Sequence, residues 1–137
     1  MSVLAVDTSV LLAIFKGETD GEAWLGCLQT AAEIASLVIS SVVLAEARSF
    51  FRSDDVCKRK IRDLGVRHTP HSEETALLAG KIFQTYRNEG GPRKTILPDF
   101  LVAAHAAVEA DALATADRGY LRHYFPALRL VTPGHPL

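Results

Sequence analysis

Short, unbroken apolar runs alternate along this chain with stretches of helical periodicity. Val3–Val6 is the first run and Leu37–Ile39 the second. Val66–Thr69, a weaker strand signal with one apolar residue, and the strand-like Ala112–Ala116 and Leu128–Val131 come later, at intervals long enough to hold helices. A strand that is apolar at successive positions points apolar side chains to both of its faces, so both must be covered. Strands of that kind separated by helices predict a parallel sheet with helices on either side. The first helical stretch carries Val10, Leu11, Ile14 and Phe15 on one side and breaks near Gly17. The second covers about 20–34, the third runs from Ser40 or Ser41 to about Arg52, and the fourth from Asp54 and Asp55 to about Leu64. A long helix begins at Ser72 and ends before Gly90-Gly91-Pro92, a further one spans about 98–109, and a short one ends before Pro126. Ser or Asp at the starts can accept from open helical N–H groups, and glycine at the ends admits the turn that stops a helix.

With 137 residues, the chain is expected to be one domain, 1–137. Its 48% hydrophobic and 23% charged residues are ordinary for a folded domain and argue against disorder. The apolar runs are too short for a membrane span, and no basic leader precedes Val3. A cytoplasmic protein away from the membrane is expected. Cys27 and Cys57 show no metal-type pairing and are expected as reduced, partly buried thiols. No phosphate-cradling Gly-rich loop and no serine nucleophile elbow is present. His68-Thr69-Pro70-His71 lacks a third ligand at a typical spacing, and His105 among alanines reads as a polar contact between helices.

In open parallel sheets, ligands bind beyond the carboxyl ends of the strands. Two of the strands end directly in an acid, Asp7 after Val3–Val6 and Asp117 after Ala112–Ala116. Glu46 lies at the edge of a stripe made by Val43, Leu44, Ala47, Phe50 and Phe51 on a helical wheel. Asp99 follows Pro98 in the first turn of an alanine-rich helix. Each has an ordinary reading, as a helix cap, a favourable dipole placement or a snorkelling stem. As a set in a fold whose strand ends converge, they read differently. Two carboxylates about 4 Å apart repel by roughly 4 kcal/mol at an effective dielectric of 20, a large part of a domain's stability of about 5–15 kcal/mol. A hard divalent cation such as Mg²⁺ or Mn²⁺ relieves that repulsion, activates water and stabilises charge on a phosphate.

The net charge of −1 conceals a division. Residues 1–47 hold Asp7, Glu18, Asp20, Glu22, Glu33 and Glu46 against Lys16 alone, and residues 48–67 hold Arg48, Arg52, Lys58, Arg59, Lys60, Arg62 and Arg67 against Asp54, Asp55 and Asp63. A basic segment beside an acidic one can place a polyanion next to a metal site, or can be a solvated helix face.

Val6-Asp7-Thr8-Ser9, Leu44-Ala45-Glu46, Pro98-Asp99-Phe100-Leu101-Val102-Ala103-Ala104-His105 and Thr115-Ala116-Asp117 together resemble the PIN-domain family, in particular its VapC toxins. The resemblance covers essentially the whole chain. It implies an α/β/α three-layer sandwich around a five-stranded parallel sheet, and an endoribonuclease dependent on Mg²⁺ or Mn²⁺. It also implies Asp7 and Asp99 as main metal ligands, Glu46 as a ligand or as the residue orienting the attacking water, and Asp117 as a direct or water-mediated ligand. Ser9 and Thr115 match hydroxyl positions that support these carboxylates. The family further implies a VapB-like antitoxin partner and a homodimer. On this reading Arg48 and Arg52 belong to the rim that holds RNA. Two rivals stand beside it: a non-catalytic PIN-fold module that binds RNA or protein, and an aspartyl-phosphate receiver or phosphatase-like domain using Asp7. The second expects another acid beside the nucleophile, where this chain has Thr8 and Ser9.

Overall fold

The computed structural model describes residues 2–91, 96–117 and 119–137, the side chain of Tyr120 excepted. Five strands, β1 (Ser2–Val6), β2 (Ala35–Ile39), β3 (Val66–His68), β4 (Ala112–Ala114) and β5 (Arg129–Val131), form one sheet in the order β3-β2-β1-β4-β5. Every pairing is parallel. The described helices are α1 (Thr8–Phe15), α2 (Gly21–Ala31), α3 (Ser41–Arg48), α4 (Asp54–Asp63), α5 (Glu73–Asn88), α6 (Leu97–Glu109) and α7 (Gly119–Tyr124). Leu4, Ala5 and Val6 in β1, Leu37, Val38 and Ile39 in β2, and all of β4 are buried at consecutive positions. Consecutive burial means that helices cover both faces, the α/β/α arrangement expected. No described helix is long and apolar enough to cross a membrane.

The chain leaves β1 for β2 on one side and reaches β4 on the other. The order therefore reverses between β1 and β4, and a crevice opens at their carboxyl ends. Ser40, Ser53 and Ser72 cap α3, α4 and α5 by accepting from the N–H of Val43, Val56 and Thr75 at 3.3, 3.2 and 3.1 Å. Gly17 and Gly65 close α1 and α4 in the left-handed region, at φ 64° and 76°, where a Cβ would be strained. Pro92 of the expected Gly-Gly-Pro loop lies outside the described residues.

Some element ends differ from the sequence reading. α3 stops at Arg48 rather than near Arg52. The Ser49 hydroxyl donates to the Glu46 carbonyl at 2.7 Å, and the Arg48 guanidinium donates to the Phe51 carbonyl at 2.8 Å. These bonds satisfy the chain end locally, and Phe50 and Phe51 N–H groups reach back only three residues in tight turns. Phe50 is consequently 51% exposed, under the Lys16 ammonium, and leaves the apolar stripe that Val43 and Ala47 do form. β4 ends at Ala114, two residues early, and α2 is shorter at its end. Cys27 and Cys57 are free and buried, and burial raises both thiols above their usual range.

The middle of α6 is deeply packed, with Phe100 and the run from Val102 to Ala106 buried. Ala103, Ala104 and Ala106 have no exposed surface, so the helix axis lies close to its neighbours α5, β1 and β4. His105 interrupts the alanines. Its Nε2 lies 2.7 Å from the Thr69 hydroxyl just after β3, so its contact joins α6 to a strand end. The His71 ring is 5.7 Å away, and His71 Nε2 and His105 Nδ1 are both buried without a hydrogen-bond partner among the described residues. Burial first, and the neighbouring His71 second, hold the His105 imidazole below its ordinary 6.5, despite Glu109 and the Thr69 bond acting the other way. Burial and then His68 do the same to His71.

A histidine held down in this way is neutral in the fold and takes up its proton more readily when unfolded. Stability is therefore retained above the ordinary 6.5 and lost as pH falls from there toward the depressed folded values. Thermal melts should drop between pH 7.5 and 5.5, and His105→Asn should flatten that dependence. A pH dependence unchanged in His105→Asn would show that this pair does not produce it.

Candidate functional site

Val6 is paired with Ala114, and the ladder runs one step further, with Asp7 N–H donating to the Ala114 carbonyl at 2.9 Å. Asp7 and Thr115, one residue past the ends of β1 and β4, are thereby neighbours at the crevice. The Thr115 hydroxyl, fully buried, donates to Asp7 Oδ2 at 2.9 Å, and the Ser9 hydroxyl donates to the same oxygen at 2.8 Å. Each hydroxyl is itself placed by a backbone N–H. Ala116 N–H donates to Ser9 Oγ at 3.2 Å, and Asp117 N–H donates to Thr115 Oγ1 at 3.0 Å. Asp7 occupies the N-cap position of α1 but makes no side-chain cap bond there, so the ordinary reading of this acid as a cap does not hold. Its carboxylate is turned to the crevice instead.

Asp99 stands in the first turn of α6, and its Oδ2 accepts from Ile96 N–H at 3.0 Å. Its place is fixed by the next residue, Phe100, which is fully buried among Phe83, Tyr86, Tyr124 and Phe125. Burial pushes the half-buried Asp99 carboxyl above its usual range, the Ile96 bond opposes this, and the charges of Asp7 and then Asp117 push it further up. Asp117 is exposed, and its Oδ1 accepts from Gly119 N–H at 3.3 Å at the start of α7. Asp99 and Asp117 thus make the local bonds expected of helix-start acids and also act on one another across the crevice.

Glu46 projects from the exposed side of α3 and reaches the same region differently. Its Oε1 accepts from the Thr8 hydroxyl at 2.7 Å, across 38 residues of chain. Thr8 stood in the sequence only as a letter between Asp7 and Ser9, and the signal that it matters was its hydroxyl next to an acid. Among the described residues, no three His, Cys, Asp or Glu side chains lie close enough to form a ready-made metal cluster. What the fold brings together is Asp99, with the charges of Asp7 and Asp117 acting on it, and a glutamate tethered by Thr8 beside Asp7, all hard oxygen donors.

Arg48 faces elsewhere. Its Nε is bonded to Asp54 at the start of α4, and the bond and charge of Arg48 hold the Asp54 carboxyl below its usual range. Arg52 is exposed, beyond the end of α3. His68 Nε2 pairs with Ser41 Oγ at 2.9 Å at the ends of β3 and β2, away from any third ligand.

The PIN domain family model matches residues 4–126. The chain belongs to that family. No curated protein sequence matches it. Among solved structures, the chain is similar to VapBC2 from Rickettsia felis bound to a DNA fragment from its promoter, with TM-score 0.72, 22% identity and coverage of 93% of this chain and 96% of that one. It is similar to VapBC-1 from nontypeable Haemophilus influenzae, with TM-score 0.72, 19% identity and coverage of 96% and 98%. It is also similar to FitAcB from Neisseria gonorrhoeae, with TM-score 0.67, 20% identity and coverage of 97% and 99%. At these identities the likeness is one of fold, and it places the five-stranded parallel sheet within PIN-domain architecture.

The raised Asp99 carboxyl has a consequence for this PIN domain that needs no metal or substrate. A carboxyl held above its unfolded value contributes stability at low pH that is lost as pH rises through its folded value. At neutral pH its charge is a burden on the fold. Asp99→Asn keeps an oxygen for Ile96 N–H and removes the charge. In metal-free buffer at pH 7 this variant should melt above the native chain, and the gap should close toward pH 4. A variant that melts lower at pH 7 would argue that Asp99 does not feel its neighbours.

Proposed function

We propose that this PIN domain is a divalent-cation-dependent endoribonuclease and the toxin of a toxin–antitoxin pair. The observation that carries the reading is the placement of Asp7, Asp99 and Asp117 so that two charges raise the third, with hydroxyl groups rather than cationic side chains as the partners described for Asp7. Neutral donors fix the geometry of Asp7 without cancelling its charge, a setting that favours a hard cation. Asp7 and Asp99 would hold Mg²⁺ or Mn²⁺, Asp117 would join directly or through water, and Ser9 and Thr115 would orient Asp7. A cation held there supplies charge for the phosphodiester and lowers the pKa of water. Glu46, with Oε1 held by Thr8, presents its other oxygen to the attacking water. Arg52 is a candidate for the RNA rim. Arg48, bonded to Asp54 and Phe51, reaches that rim only by exchanging these partners.

The likeness to structures named as VapBC complexes supports a VapB-like antitoxin as partner in the cytoplasm. A homodimer belongs to the same reading and rests on the PIN family resemblance alone.

Purified protein should cleave RNA with Mg²⁺ or Mn²⁺ and stop when a chelator is added. Thr115→Val should cost roughly 10–100-fold, the range for a residue that orients a ligand, and Asp99→Asn should cost more. Mn²⁺ should raise the melting temperature of the native chain by mass action, and less for Asp7→Asn. Metal-independent cleavage, or an active Asp99→Asn, would sink the mechanism. An identical Mn²⁺ response in both proteins would remove Asp7 from the ligands.

A further inference from the structure

We infer that Thr8 is the positioning residue for Glu46, an inference that rests on the nuclease reading of this site. Glu46 is exposed on α3, and an exposed glutamate on a helix has three rotatable bonds and no reason to hold one conformation. Ordering such a side chain costs conformational entropy that a contact must offset. The Thr8 hydroxyl supplies a short bond to an ionised oxygen, 2.7 Å from Thr8 Oγ1 to Glu46 Oε1. That is the length of a charge-assisted hydrogen bond, stronger than one between neutral groups.

The donor is itself rigid. Thr8 is β-branched and stiff about its first side-chain bond. It opens α1 directly after Asp7, whose N–H is bonded to Ala114 and whose carbonyl accepts from Val10 and Leu11. Glu46 is therefore registered to the same backbone segment that carries Asp7, although it comes from another helix. Three consecutive residues divide the work. Asp7 faces the crevice, Ser9 donates to Asp7, and Thr8 donates to Glu46. Thr8 takes Oε1, and among the described residues no hydrogen bond is shown for the second oxygen of Glu46, the one that would face a water. A purely structural threonine at a helix start would bond its own backbone, and the bond described for the Thr8 hydroxyl leaves the helix instead.

The test uses the full chain with Thr8→Val, which keeps the shape and removes the hydroxyl, Thr8→Ser, which keeps the hydroxyl, and Glu46→Ala. Thr8→Val should lower kcat roughly 10–100-fold, as for other residues that orient a ligand, with KM for RNA unchanged. Thr8→Ser should recover most of the loss. In the Glu46→Ala background, Thr8→Val should cost nothing further, because the group it positions is gone. Full activity in Thr8→Val, failure of Thr8→Ser to recover, or equal losses with and without Glu46 would overturn the inference. If the native chain cleaves no RNA with any divalent cation, the nuclease reading fails separately. Crystal structures of the native chain and Thr8→Val then decide the positioning by themselves: Glu46 displaced in the variant supports it, and Glu46 unmoved overturns it.

Discussion

One hydrogen bond, from Asp7 N–H to the Ala114 carbonyl at 2.9 Å, extends the β1–β4 ladder past its last strand residue and governs the geometry of the crevice. It brings Asp7 and Thr115 side by side, lets the Thr115 hydroxyl reach Asp7 Oδ2, and anchors the start of α1. From that start, Thr8 and Ser9 reach Glu46 and Asp7. α6 packs against both β1 and β4, so Asp99 at its first turn is aimed at the same point. The β1–β4 pairing is thus a packing decision and a chemical one together. The apolar residues that make it favourable, Leu4, Ala5, Val6, Leu113 and Ala114, are among the most buried in the molecule.

The chain treats its carboxylates in two ways. At the α3–α4 junction Asp54 meets the guanidinium of Arg48, and the charge is neutralised locally. At the crevice, the donors described around Asp7 are hydroxyls and those around Asp99 and Asp117 are backbone N–H groups. Such donors stabilise an anion without cancelling its charge, unlike the guanidinium at Asp54. The fold carries the repulsion because the rest of the sheet and the alanine-lined α6 hold the backbone in place.

The strands and most helices could be read from the chain because their signals are local. Unbroken apolar runs mark the buried strands β1 and β2, and Ser72, Gly17 and Gly65 punctuate the helices as capping chemistry requires. The end of α3 could not, because it depends on Arg48 finding Asp54 and the Phe51 carbonyl, contacts set by how α4 returns. The same return turned Arg48 to Asp54 and left Phe50 out of the core. Asp7, Asp99 and Asp117 were legible as acids at strand and helix ends, and the fold brings their charges within reach of one another. Thr8 was not, since a hydrogen bond across 38 residues leaves no periodic trace. Nor was the His71–His105 contact, where the helix pattern of 98–109 showed only a histidine among alanines.

The central position of β1 orders events in time. Its partner β2 follows it closely in sequence, but its other neighbour, β4, is made about three-quarters of the chain later. Asp7 and the Thr115 hydroxyl that holds it are separated by 108 positions. Contacts of such separation form late, after the entropy of closing a long loop has been overcome. A nascent chain therefore carries its first acid long before it can assemble the crevice, and a prematurely terminated one never does.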